Sequence, residues 1–149
     1  MDSTTIAAQS AIWHLPAFSD ADAWVLGNLL VDHGKGLPIV INIRTEGRTL
    51  FHAALPGSAA LNDRWARRKS NLCLLFGEPS FLIGLRNKEK AETLARHGLG
   101  MEDYADSGGA VPIIVGGLTV AAVTVSGLPQ AEDHTLVIRA LQAFRGHPA

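Results

Sequence analysis

Val111-Pro112-Ile113-Ile114-Val115, then Gly116-Gly117, then Leu118-Thr119-Val120-Ala121-Ala122-Val123-Thr124-Val125 is the stretch whose reading decides the fold. Two valine-rich runs separated by a Gly-Gly pair predict a β-hairpin, because glycine tolerates the positive φ angles of a tight turn. A second ribbon lies upstream. Pro38 opens the β-branched run Ile39 to Arg44, and Leu50 to Leu55 follows after Thr45-Glu46-Gly47-Arg48-Thr49. With Glu46-Gly47 as a two-residue turn, Ile43 faces Leu50 and Ile41 faces His52, which puts His52 on the isoleucine face. A one-residue change in loop length reverses that assignment.

Helical patterns surround the ribbons. Ser19-Asp20-Ala21-Asp22 resembles a capping box, and the helix it opens runs over about 20–33 before Gly34. Leu55-Pro56-Gly57-Ser58 ends the first ribbon and offers Ser58 as an N-cap. Leu61, Trp65, Leu72, Leu75 and Phe76 then recur at helical spacing until Gly77. Pro79-Ser80 restarts a helical segment that continues, with a break, through Glu89 to Arg96. Pro129 stands at a helix N1 position, ahead of the stripe Val137, Ile138, Leu141 and Phe144. Two hairpins separated by helices predict an α+β domain: an antiparallel sheet covered by helices. Residues 1–18 read as an N-terminal arm whose Ile12 and Trp13 dock, and 19–149 as a single domain.

The bulk composition agrees and excludes several functions. At 149 residues, 47% hydrophobic and 18% charged, the chain has the balance of one packed globule. A formal net charge of −1 provides no global field for nucleic acid or acidic lipid. The first residues lack a basic, apolar leader, and the apolar runs are too short or too broken by glycine to span a bilayer. Cys73 is the sole cysteine, flanked by Leu72 and Leu74, so it reads as a buried packing thiol in a reducing, cytoplasmic chain. No nucleophile elbow, phosphate-binding loop or dinucleotide fingerprint is present.

Beyond periodicity, Gly108-Gly109-Ala110-Val111-Pro112-Ile113 and Val123-Thr124-Val125-Ser126-Gly127-Leu128-Pro129-Gln130, with Glu132-Asp133-His134, resemble the GlcG-like family of heme-degrading-domain proteins. Asn62-Asp63-Arg64-Trp65 with Arg68-Lys69-Ser70-Asn71 resembles its small, uncharacterised single-domain branch. The resemblance implies a profilin-like α/β/α arrangement and homo-oligomers. It also implies relatives that bind or slowly degrade haem, making haem or another tetrapyrrole the candidate cofactor or ligand. It departs at Ser107, where members of the branch often carry histidine, so an iron ligand at that position is not carried over.

Arg64, Arg67, Arg68 and Lys69 place four cations within two helical turns, and Trp65 neighbours Arg68 and Lys69. That cluster reads either as a clamp for a carboxylate or phosphate, aided by Asn62 and Asn71, or as a solvated basic face with Trp65 turned inward. His134 falls near the last helix's apolar stripe, as a half-buried ring open to proton transfer or as a structural histidine. Asp133 and His134 point about 100° apart on a helix, so they form no compact dyad, and no catalytic residue is assigned. Glu132 and Asp133 supply the negative charge that the N–H groups after Ser126 favour, which reads as helix capping over anion binding. His14, His33, His97 and His147 lie in loops or near termini, and no histidine pair or cysteine set has metal-site spacing.

Trp65, Arg68, Lys69, Asn71 and His134 are therefore the candidate ligand residues. The expected function is binding of a small anionic ligand with at most weak catalysis. The alternative is a non-enzymatic homo-oligomeric scaffold anchored by the Trp13 arm.

Overall fold

Both hairpins form. In the computed structural model, which describes residues 1–146, β1 (Val40–Arg44) pairs with β2 (Thr49–Ala54), and β3 (Ala110–Val115) with β4 (Leu118–Ser126). β1 also pairs antiparallel with β4, with Ile41 opposite Val125, which joins the ribbons into one sheet of order β2-β1-β4-β3.

Strand alternation gives the sheet two unlike faces. Ile41, Ile43, Phe51, Val111, Ile113, Val123 and Val125 fall on one of them, beneath α2 (Asp20–His33) and α5 (Gln130–Arg145). Leu26, Leu30, Val137 and Leu141 complete that core. Burying an aliphatic side chain of this size contributes about 1.5–3 kcal/mol, so this layer supplies most of the driving force. The other face carries Asn42, Arg44, Ala110, Ala122 and Thr124, and α3 (Ala60–Phe76) lies across it. Here α3 presents short side chains, Ala66, Ser70 and Cys73, to the sheet. Leu61 and Leu75, counted in the expected apolar stripe, are exposed.

The capping box on α2 forms as read: Ser19 Oγ accepts from Asp22 N–H and the Asp22 carboxylate from Ser19 N–H. α3 starts one residue later than expected, with Ala59 at the cap and its N–H donated to Asn62 Oδ1, while Ser58 Oγ turns back to Leu55 O. Pro129 occupies the cap of α5, one position before the expected N1. α4 (Ser80–Lys90) stops where Ala91 adopts a left-handed conformation, and a 3-10 turn at Leu94–His97 follows.

His52 requires a correction. The β1–β2 connection spans four residues, closed by Thr45 N–H to Arg48 O, and a register shift falls between Ile43 and Arg44. Phe51 therefore faces Ile43, and His52 pairs with Asn42 on the face under α3.

Residues 1–18 are folded onto the rest. Ser3–Ala7 form α1, whose Ile6 packs on Phe81 and Leu82, and Trp13 and Leu15 enter the main core. Leu15 N–H donates to Ile114 O along the β3 edge. With Trp13 only 3% exposed in its own chain, it cannot anchor a second copy.

Candidate functional site

The Gly-Gly and Ser-Gly-Leu-Pro-Gln segments meet at one buried ammonium. Lys69 points from α3 into the protein, 2% exposed, and its Nζ donates to Val125 O at 2.7 Å, Gly108 O at 3.0 Å and Asp133 Oδ2 at 3.3 Å. Three N–H donors meet three acceptors, so the group is satisfied without a ligand. Asp133 in turn accepts from Leu128 N–H at 2.9 Å and Gly127 N–H at 3.4 Å. Its carboxylate thus supplies the negative charge at the start of α5 that an outside anion would otherwise provide. Burial lowers the Lys69 pKa and raises that of Asp133, and each charge partly offsets the shift of the other.

This junction explains the glycines. Gly109 has φ of +137°, and a Cβ there would fall 2.4 Å from Lys69 Nζ and 2.3 Å from Val125 O. Gly127 has φ of +145° and approaches Pro38 O just as closely. Gln130 Oε1 accepts from Gly108 N–H, and Ser80 Oγ from Ala110 N–H, which fixes the loop from both sides.

Trp65 stands above this junction between two cavities. One, of about 260 Å³, is bordered by Asn62, Ser107, Gly108, Gly127 and Gln130. The other, of about 530 Å³, is a mainly apolar cleft between α3 and the 92–107 segment, walled by Leu94, Leu99, Met101 and Tyr104. Trp65 and Ser107 border both. Ala105 N–H to Arg68 O and Asn71 Nδ2 to Asp103 O hold the segment against α3. Arg68 lies at the cleft with its guanidinium carbon 4.4 Å from the Trp65 ring centroid. Among the described residues Arg68 forms no ion pair and its buried Nε has no hydrogen-bond partner, while Glu92 pairs with Arg96 and Asp106 accepts from Asn87.

The five candidate residues thus divide. Trp65 and Arg68 share the cleft. Lys69, one residue on and about 100° around the helix, turns beneath it and is neither a surface clamp nor part of a solvated face. Asn71 lies on the other flank of α3, where its Oδ1 accepts from Arg44 at 2.9 Å. His134 is fully buried on α5, its ring tilted 47° against that of Phe81, with Nε2 2.8 Å from Gln9 Oε1. It is therefore neither half-exposed nor among the cleft's lining residues, and burial pushes its pKa down to about 4. Burial likewise pushes the Cys73 thiol well up, which agrees with a packing role. His147 lies outside the described residues. The sequence reading missed Arg44 and the His52–Asp63 contact of 3.1 Å across the α3 face.

Residues 18–142 match the family model of the haem-degrading protein HbpS-like family. A UPF0303 protein of Streptomyces coelicolor is 47% identical over 87% of this chain and 84% of its own. One from Burkholderia thailandensis is 43% identical over 99% and 92%. Among solved structures, the Ybr137w protein superposes with a TM-score of 0.88 at 29% identity, over 100% of this chain and 91% of that chain. PduOC, solved as a heme complex, gives 0.72 at 17% identity over 85% and 94%, a likeness of fold alone. The signature loops around Lys69 thus sit in a chain that belongs to the HbpS-like haem-degrading protein family.

Proposed function

We propose that this protein binds a flat, amphipathic anion of the haem or tetrapyrrole class in the cleft between α3 and the 92–107 segment. The observation that carries the reading is Arg68: a guanidinium stacked on Trp65, without an ion pair among the described residues, at an apolar cleft of about 530 Å³. Small-ligand sites are typically concave, apolar and about 300–1,000 Å³, with a few fixed polar groups. Trp65, Leu94 and Leu99 suit a ring face, and Arg68 suits a carboxylate. The cleft also holds two side chains of types that ligate haem iron, Met101 and Tyr104. Family membership supports the same ligand class.

Hemin titration followed at the Soret band tests the proposal. The wild type is expected to give a saturable shift, and Arg68→Ala to weaken binding about tenfold, equivalent to about 1.4 kcal/mol. No saturable shift, or wild-type affinity retained in both Arg68→Ala and Trp65→Ala, removes the reading.

Self-association into a homo-oligomeric scaffold is the second reading. With Trp13 buried, its support is limited to individually exposed apolar side chains, Leu75 on α3 and Leu118 at the start of β4, which are 55% and 70% exposed. Light scattering at micromolar concentration is expected to show at least a dimer, and a strict monomer would argue against it.

A further inference from the structure

A second cationic site lies on the opposite flank of α3. Arg44 projects from β1 toward the helix, where its Nη1 donates to Ser70 Oγ at 2.7 Å and Asn71 Oδ1 at 2.9 Å. Both acceptors are neutral, and among the described residues Arg44 forms no ion pair. Cavities of about 420 and 330 Å³ open on its two sides, and Arg44, Arg67 and Asn71 line both.

Among the described residues no carboxylate is paired with this guanidinium. Asp63 is engaged with His52, Asp103 pairs with Arg67 at 2.9 Å, and exposed Glu46 lines the larger cavity without pairing to Arg44. Partial burial, and after it the neighbouring Arg67 charge, depress the Arg44 pKa, and the Glu46 charge offsets only part of that. A half-buried arginine held by neutral acceptors beside a second arginine is stabilised by any anion that reaches it. The Arg67–Asp103 pair is solvent-exposed, at 59% and 57%, so it contributes little and releases Arg67 readily.

We infer that Arg44 and Arg67 form a binding site for a small oxyanion, a phosphate or carboxylate group, held across the two cavities beside Asn71. Ser70 and Asn71 fix the orientation of the Arg44 fork, which spares part of the entropy that a free surface arginine loses on binding. The site opens on a different flank of α3 from the Trp65 cleft, since Arg67 and Arg68 leave the helix in directions about 100° apart, and Tyr104 stands between the two and borders both.

Calorimetric titration of the whole protein with inorganic phosphate and, separately, acetate tests this, at ionic strength held constant with sodium chloride. At least one anion is expected to bind saturably, and the stronger of the two identifies the group the site prefers. Arg44→Gln is expected to lower that affinity about tenfold and Arg67→Gln several-fold, whereas Asp103→Asn, which frees Arg67, is expected to raise it. The opposite signs of Arg67→Gln and Asp103→Asn separate a binding site from a structural effect, and they stand even if Arg44→Gln does not fold. Absence of saturable binding by both anions, or an affinity unchanged in both Arg67→Gln and Asp103→Asn, overturns the inference. Hemin affinity is expected to stay unchanged in Arg67→Gln, which keeps the two sites experimentally distinct.

Discussion

Lys69→Met is expected to lower the unfolding free energy by about 3–5 kcal/mol, the range for breaking a buried ion pair by removing one partner. Methionine fills much of the lysine stem's volume, so the loss is chiefly electrostatic and hydrogen-bonding. Gly108 O and Val125 O lose a donor, and the Asp133 carboxylate keeps only the Gly127 and Leu128 N–H groups. Urea denaturation measures the change, and a loss below about 1 kcal/mol would show that the junction is not the support described here. Adding Asp133→Asn removes the stranded charge, so the double variant is expected to be more stable than Lys69→Met alone. In Lys69→Met the buried carboxyl lacks its cation, which favours its protonated form further above the ordinary aspartate value of 3.8. The folded state then binds the extra proton, so this group's contribution to stability falls as pH rises through that window.

The second large effect is acid destabilisation through His134. Its ring is fully buried, burial alone depresses its pKa to about 4, and its Nδ1 has no hydrogen-bond partner among the described residues. Below pH 6.5 the unfolded chain takes up a proton that the folded protein accepts only near pH 4. The stability contribution is therefore complete above about pH 6.5 and is lost as pH falls toward 4. At about 1.4 kcal/mol per pH unit, that interval corresponds to about 3 kcal/mol. His134→Gln retains an N–H donor for Gln9 Oε1 but does not titrate. Subtracting its stability profile from that of the wild type is expected to leave a slope confined to pH 4–6.5, and coincident profiles would refute the assignment.

Particular residues show which parts of this fold were legible. Gly116-Gly117 with its valine-rich flanks, and Ser19 with Asp22, carried their structures in local chemistry, and both formed as read. α3 was read from its large apolar residues, yet Leu61 and Leu75 face outward, while Ala66, Lys69, Ser70 and Cys73 turn inward at spacings of three, one and three. That stripe of small residues was visible in the sequence, and it carried Lys69 into the interior with it. What no local pattern contained was the acceptor set, because Gly108, Val125 and Asp133 lie 39 to 64 positions away along the chain. His52 went to the wrong face for a related reason: a four-residue connection and a register shift reverse an alternation that a two-residue turn would have preserved. Trp65 and Arg68 stayed together because helical neighbours three apart share a flank whatever the tertiary context.

A crystal structure of the hemin-soaked protein tests the central claim most directly. The account predicts the macrocycle against Trp65, Leu94 and Leu99 with a carboxylate on Arg68. Hemin seated elsewhere while that cleft stays open, or a saturating soak with no bound ligand, would contradict it.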